Sequence, residues 1–382
     1  MSMLTRTAVV ALFAGAGLTG CIDTDFEPKW KLQDWRVLTM VVDPPSFRPG
    51  EQVTFTPMVV NPTGGTEIPT GTLTPTAGGG FRCDGGTCFL LTLCLRPDRT
   101  PGLSGIQFDP EVPSQGCGDA LGFVGVPEAI ASETDPFVVR PDGSAVLDSS
   151  FVEGFLADAT LEMTAAQLGL PEELVDRALR EVGLTVTVEI RVLEEIDGNQ
   201  VQHRVAFKRA LARADGCVPA AETPCPGQNP PEPEFSIRLR EDAENDASWV
   251  SARHVDSSFA CQFCDRQDDG TCLPNNRELV LLPNREYILD PIDVSLDPND
   301  PESWIEEYTV LDITGDFVRA TEGAFYTWYA TDGNIDRHGT NAPADEEIWT
   351  TPEEPGAYPI WMVVRDGQGG TSACRLDLRV GG

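Results

Sequence analysis

The chain has 382 residues, too many for a single hydrophobic core, which rarely grows past about 250 residues. Its 41% hydrophobic and 23% charged residues are those of a folded protein, which excludes wholesale disorder and a polytopic membrane protein. The 27 basic residues against 61 acidic give a net charge of −34, a field that repels phosphate backbones and excludes nucleic acid as a partner. The histidines, His203, His254 and His338, are far apart and offer little for histidine-based catalysis or a histidine zinc site.

Residues 1–20 carry one charge, Arg6, ahead of a small and apolar run from Thr7 to Leu18. The run is shorter than the ~20 residues of a spanning helix and has the order of a secretion signal. It ends in Leu18-Thr19-Gly20-Cys21, which resembles the lipobox of bacterial lipoproteins. The resemblance implies that the Cys21 thiol is lipidated, that the chain is cut before it, and that the new amino group is acylated. Several acyl chains, each contributing about 0.8 kcal/mol per buried CH₂, would anchor it stably. Ile22 stands where an aspartate would resemble an inner-membrane retention signal, so the implied destination is the outer membrane, facing the periplasm or the cell surface. An acidic body repelled by anionic lipid would hang from a polar tether over residues 21–34.

Export places the other cysteines where thiols are oxidised. Spacing suggests Cys83 with Cys88, Cys94 with Cys117, and Cys217 with Cys225, while Cys261, Cys264, Cys272 and Cys374 share two further bridges in an order that spacing leaves open. The run Cys261-Gln262-Phe263-Cys264 with Cys272 invites zinc or thiol-redox readings. Zinc would want a second close pair and a redox motif would open a helix, so disulfides are the expectation.

Along the chain, Val37-Leu38-Thr39-Met40-Val41-Val42 and Val53-Thr54-Phe55-Thr56-Pro57-Met58-Val59-Val60 flank Asp43-Pro44-Pro45 and Pro49-Gly50. This predicts two strands around a Pro/Gly turn, with Val53 and Phe55 on a buried face. A Gly, Thr and Pro stretch, 62–80, leads to a third strand from Phe89 to Leu95. Residues 97–150 show little periodicity and are expected to form a long, disulfide-pinned excursion. From Pro171 to about Val182 the pattern is helical: Glu172 and Glu173 sit in the first turn, Leu170, Leu174, Ala178 and Val182 recur, Arg180 lies in the last turn and Gly183 can end it. Alternation from Leu184 to Val192, a turn at Asp197-Gly198-Asn199 and a return from Val201 to Leu211 predict a hairpin. Its return strand sets Val205 and Phe207 against Arg204, Ala206 and Lys208. Residues 35–214 thus read as a β-sandwich with a helical and loop insertion.

Residues 215–233 are dense in proline and predict a stiff linker. A second sandwich follows over residues 234–382, with strands expected around Phe235 to Leu239, Val280, Tyr287 to Leu289, Phe325 to Tyr329, Ile348-Trp349, Ile360 to Val364 and Ala373 to Val380. Trp328-Tyr329-Ala330-Thr331-Asp332-Gly333, Pro355-Gly356-Ala357-Tyr358 and Val364-Arg365-Asp366-Gly367 resemble PKD and other Ig-like modules over roughly residues 277–382, although Thr331 replaces the expected glycine. The resemblance implies that Trp328 fills the core and that the Tyr358 hydroxyl bonds back to the chain. With the lipobox and the opening from Arg36-Val37-Leu38 through Pro45 to Pro49-Gly50-Glu51, the whole chain resembles secreted lipoproteins of myxobacteria and related bacteria, a set with no established common activity.

No catalytic constellation is expected. Gly102-Leu103-Ser104-Gly105-Ile106 lacks the last glycine of a nucleophile elbow, Gly143-Ser144 fits no better, and His254-Val255-Asp256 reads as a surface loop. Acidic residues are too abundant for spacing to pick a glycosidase pair. Asp265, Asp268, Asp269 and Asp297, Asn299, Asp300 could offer oxygen to calcium but lack the closing glutamate of an EF-hand, and solvated loops are the simpler reading. No other cofactor is expected. Trp30, Trp35, Trp328, Trp349 and Trp361 raise the idea of a sugar site; Trp328 and Trp361 read as core, and Trp349 fits either role. The resulting expectation is a non-enzymatic, outer-membrane-anchored lipoprotein of two Ig-like β-sandwich domains, binding protein or glycan, adhering or scaffolding at the cell envelope. The rivals are an extracytoplasmic hydrolase with a site in region 97–160, and a subunit of an envelope complex.

Overall fold

The structure, a computed structural model, describes residues 30–32, 34–61, 63–77, 80–95, 122–150, 171–213, 227–242, 250–254, 259–267, 272–275, 279–292, 295–300, 303–311, 316–343 and 345–381. The described residues are mainly β, with one α-helix. Residues 1–29, with Cys21 and the signal expected before it, lie outside them.

The first half runs β1 (Arg36–Asp43), β2 (Ser46–Phe47), β3 (Gln52–Val60), β4 (Thr66–Glu67), β5 (Thr72–Pro75), β6 (Phe81–Asp84), β7 (Thr87–Leu95), β8 (Gly122–Val124), β9 (Val126–Pro127), β10 (Phe137–Val139), β11 (Ala145–Asp148), α1 (Glu172–Glu181), β12 (Leu184–Ile196) and β13 (Asn199–Ala212). One sheet has the order β1-β3-β11-β10-β9 with β4 beside β3, and the other β2-β13-β12-β7-β8; β5 and β6 form a separate hairpin. Met40, Val42, Phe55, Phe137 and Leu147 of the first sheet share one core with Leu91, Leu93, Val186, Val188 and Ile190 of the second. The rings of Phe55 and Phe137 meet edge to face at 5.9 Å.

Residues 122–150 are not the excursion expected from their weak periodicity. They supply β8 to β11, and β11 pairs with β3 from Asp148↔Gln52 to Ala145↔Phe55. Strands of two to four residues are too short to show an alternating pattern, so pairing with longer neighbours, rather than local preference, makes them β. The hairpin of β12 and β13 is as expected: Asp197 and Gly198 both have positive φ, 51° and 78°, matching a tight two-residue turn. In α1, Pro171 stands just outside the first turn with extended backbone. Among the described side chains of the helix Val175 is buried, with Leu174 and Ala178 half-buried, while Leu170 lies outside the described residues. Gly183, at φ 96°, ends the helix, and the Arg213 guanidinium donates to the Arg180 carbonyl at 2.9 Å, supplying a cation and a donor to the C-terminal end.

The second half runs β14 (Glu234–Leu239), β15 (Val250–His254), β16 (Cys261–Arg266), β17 (Cys272–Pro274), β18 (Val280–Leu281), β19 (Glu286–Pro291), β20 (Glu307–Leu311), β21 (Phe317–Thr321), β22 (Phe325–Ala330), β23 (Asn334–Ile335), β24 (Gly339–Asn341), β25 (Glu347–Thr350), β26 (Gly356–Arg365) and β27 (Thr371–Val380). Its sheets are β17-β16-β15-β14-β19-β25-β23 and β18-β27-β26-β22-β24, with β20 and β21 as a separate hairpin. Phe235, Leu289 and Trp349 of the first meet Trp328, Ile360, Met362 and Leu376 of the second in one core. Trp328 is fully buried, with Phe235 edge-on at 5.1 Å. At the corner entering β26, the Tyr358 hydroxyl donates to the Glu354 carbonyl at 2.9 Å. A disulfide, Cys261–Cys374, ties β16 to β27 and so joins the two sheets; Cys264–Cys272 and Cys83–Cys88 close local loops. The expected bridges of Cys94 with Cys117 and of Cys217 with Cys225 fall on side chains outside the described residues.

The two halves pack against each other. Leu38, Met58 and Val60 point away from the first core and join Tyr329, Trp361, Val363 and Ala373, which point away from the second, in one buried apolar patch. Gly64, at φ 77°, comes so near that a Cβ there would lie 3.3 Å from the Trp361 ring and from Pro359. The Arg177 guanidinium of α1 lies 4.1 Å over the Phe317 ring of β21.

The tether expected over residues 21–34 ends earlier than the sequence suggested. Trp30 is buried in the second core and Leu32 in the junction patch, because the backbone of 30–32 bonds on both sides of Ala330: Trp30 O accepts from Ala330 N and Leu32 N donates to Ala330 O, both at 3.0 Å. Lys31 pairs with Asp332 at 3.0 Å. Replacing Tyr358 with Phe keeps the ring and removes one donated bond, and should lower unfolding stability by about 1 kcal/mol in denaturant titration.

Candidate functional site

Among the described residues, a group of ionisable side chains with shifted proton affinities lies beside the apolar patch, where the turn between β26 and β27 meets β13 and residues 227–229. Asp366 opens that turn and is buried. Its Oδ1 accepts from Gln368 N at 2.6 Å and Gly369 N at 3.0 Å, and its carbonyl accepts from Gly323 N at 3.2 Å. Glu322, also buried, accepts from Glu306 N at 3.1 Å, and Glu306 in turn accepts from Gly227 N at 2.8 Å and Gln228 N at 3.2 Å. Lys208 reaches across from β13 to the Thr371 hydroxyl. Asn229 accepts from Thr371 N at 2.9 Å and donates to the Val42 carbonyl at 2.7 Å, while Arg365 donates to the Leu38 carbonyl at 3.0 Å.

Burial dominates the proton affinities here. It pushes the Glu322 carboxyl up to about 9, with the Asp366 charge adding to the effect. It raises Asp366 as well, against the hydrogen bonds of its own turn and the attraction of Lys208. It lowers the Lys208 amine, and the neighbouring Arg365 charge lowers it further, against the pull of Asp366. Tyr308, whose hydroxyl bonds with the Gln368 side chain, is raised by burial and by Glu322. Glu322 Oε1 and Asp366 Oδ2 are buried without a hydrogen-bond partner among the described residues, which adds to the cost of ionising either carboxyl.

The residues singled out in the sequence have other roles. Ser144 is buried in the turn before β11, where its hydroxyl and amide both bond Asp142 Oδ1 at 2.6 and 2.9 Å. Ser104 and its glycines lie outside the described residues. His254 sits on β15 with its Nδ1 3.5 Å from Glu232, and Asp256 is outside the described residues. Asp297 accepts from the Asn299 amide and side chain, both at 3.0 Å, which lowers its carboxyl below the usual range; this is a self-bonded turn. Asp268 and Asp269 are outside the described residues, and among the described residues no three His, Cys, Asp or Glu side chains gather as a metal donor set. The sulfurs of Cys261, Cys264, Cys272 and Cys374 are all bonded to sulfur, which leaves no thiolate for zinc. Trp30, Trp328, Trp349 and Trp361 are buried, with Trp349 Nε1 donating to the Asp332 carbonyl at 3.1 Å. Trp35 is half-buried and stacks on His203 at 5.4 Å.

Sequence reasoning placed Lys208 on a strand face and Asp366 in a turn motif but did not join them, and it missed Glu306, Tyr308 and Glu322. The only signal was Asp366-Gly367-Gln368-Gly369-Gly370, a run of turn residues; nothing local marks Glu322.

No protein-family model matches the sequence, and no curated protein matches it. Among solved structures, the chain is similar to native Escherichia coli alpha-2-macroglobulin at 12% identity and a TM-score of 0.22, covering 94% of this chain and 16% of that one. It is similar to dimeric latent PorU from Porphyromonas gingivalis at 10% identity and a TM-score of 0.17, covering 92% of this chain and 34% of that one. The chain spans well under half the length of either.

Gly370 is the point where the cluster tolerates no side chain. A Cβ there would overlap Asp366 Oδ2 and lie 2.9 Å from the Gln228 carbonyl. Gly370→Ala should therefore cost about 1–3 kcal/mol of stability, measured as a lowered thermal midpoint, whereas alanine at Gly50, which has open space around it but a φ of 87°, tests backbone strain alone.

Proposed function

We propose that the chain is a non-enzymatic lipoprotein, anchored to the outer membrane through acyl groups on Cys21, whose two Ig-like β-sandwich domains, 35–214 and 234–382, serve as one binding, adhesion or scaffolding body at the cell envelope. The observation that carries this reading is the joining of the two halves: an apolar patch, a three-residue stem and a bridging asparagine make a single block instead of two modules on a flexible string. Such a block suits a protein that presents a fixed surface at a set distance from a membrane. From Cys21 to Trp30 the chain reaches at most about 30 Å fully extended, so the body would stand close to the bilayer. The disulfide between the sheets of the second half fits an oxidising compartment. The buried position of the acidic cluster, under β13 and 227–229, favours a structural or sensing role over turnover of a substrate.

Cys21→Ala should abolish palmitate labelling and move the protein from the membrane to the soluble fraction. Membrane association that persists in the unlabelled variant overturns the anchor. Protease treatment of intact cells, followed with an antibody to residues 234–382, then separates a surface-facing body, which is digested, from a periplasmic one, which survives until lysis.

A further inference from the structure

The contacts between the halves fall into two kinds. The apolar patch of Leu38, Met58, Val60, Tyr329, Trp361 and Val363 has no dependence on pH. The polar part does. Lys208 from β13, Arg365 and Asp366 from the end of β26, Glu306 and Tyr308 around the start of β20, and Glu322 after β21 form one group, and residues 227–229 close over it by donating the Gly227 and Gln228 amides to Glu306 and the Asn229 side chain to Val42. Lys208 and Gln228 thus lie against the Asp366 turn from the first half and the linker, and Gly227 and Gln228 hold Glu306, whose amide Glu322 accepts, so opening the junction uncovers this group from one side.

We infer that this junction is an acid-strengthened latch, whose two halves are held most tightly in mild acid and loosen as the medium approaches neutrality.

The sign follows from which state holds more protons. Glu322 is faced by Asp366, Glu306 and Tyr308, so in the closed junction it keeps a proton that it gives up to solvent once uncovered, and Asp366 does so in part. The closed state thus has its full advantage below the ordinary carboxylate value and loses it as pH climbs toward the raised one. Lys208, faced by Arg365 and Asp366, is shifted the other way: opening lets it take up a proton, which favours the closed state as pH rises above neutral. The two effects oppose each other in the alkaline range, so the loosening is concentrated between pH 5 and 7 and then levels off.

Hydrogen exchange of the mature chain, corrected for the intrinsic pH dependence of amide exchange, reads this directly. The reporters are the amides of Gly227, Gln228 and Thr371, whose bonds hold the linker segment 227–229 to the second half at the margin of the junction, and the controls are Ile237 and Leu289 in the second core. Reporter protection relative to the controls should fall at least tenfold from pH 5 to 7 and stay level from 7 to 9. Glu322→Gln, which keeps an acceptor for Glu306 N but cannot ionise, should flatten the fall below pH 7. Lys208→Met should let the fall continue above it. Wild-type protection that is the same at pH 5 and 7, or that falls in parallel at reporters and controls, overturns the latch without reference to any variant. An undiminished fall in a folded Glu322→Gln protein overturns the role given to Glu322.

Discussion

Two strand pairs, β1 with β3 and β26 with β27, are buried on both faces, and the rest of the molecule is arranged around that constraint. Each pair lends alternate side chains to its own core: Met40, Val42 and Phe55 in the first half, Ile360, Met362 and Leu376 in the second. The intervening residues, Leu38, Met58 and Val60 on one side and Trp361, Val363 and Ala373 on the other, cannot face water at the same time without exposing a continuous apolar strip. Packing the two outer faces together removes it, at roughly 25 cal/mol per Å² of apolar surface buried.

Once the outer faces meet, polar groups around the patch must be satisfied or enclosed. β1 is an edge strand of its sheet, and its outward carbonyls Leu38 O and Val42 O take donors from Arg365 and Asn229 rather than from another strand. That caps an edge which would otherwise be a template for pairing with another chain. The same closure takes Asp366 out of water beside the already buried Glu322, which is costly for ionised carboxyls and is relieved by keeping a proton and, at Asp366, by the Lys208 charge. The ionisable cluster is thus a consequence of where the apolar patch lies.

Much of this fold was legible in the sequence. The hairpin of β12 and β13, the helix ended by Gly183 and the strand, corner and strand around Tyr358 all carry local signals: period two, a positive-φ turn, a terminal glycine, an aromatic at a corner. The unbroken runs Pro57-Met58-Val59-Val60 and Ile360-Trp361-Met362-Val363-Val364 were legible as strands but their second buried face was not read, although a strand without alternation is one that can be buried on both faces. They could be read as strands but not matched to each other, because one apolar face fits another without any complementary pattern. Residues 122–150 and the stem at Trp30 were missed for a related reason: a strand of three residues has no period, and Trp30 takes its place in the core from Ala330, far along the chain. Glu322 and Glu306 looked like two acids among many in a chain of −34; burial distinguishes Glu322, and the amides of Gly227 and Gln228 distinguish Glu306.

The first half is held to the second at both of its ends. Upstream, residues 30–32 bond across Ala330 and pair Lys31 with Asp332; downstream, 227–231 bond Glu306, Thr371 and Ser372. Releasing one end leaves the other attached and the apolar patch in place, so the halves cannot swing apart about a single hinge, and a loosening of the junction has to begin where contacts can change without exposing apolar area. The titratable margin by Lys208, Glu322 and Asp366 is that place. Trp361 and its neighbours supply cohesion that does not vary with the medium, and the acids beside them supply the part that does. A body built this way keeps its overall arrangement while the grip along one edge follows the proton concentration outside.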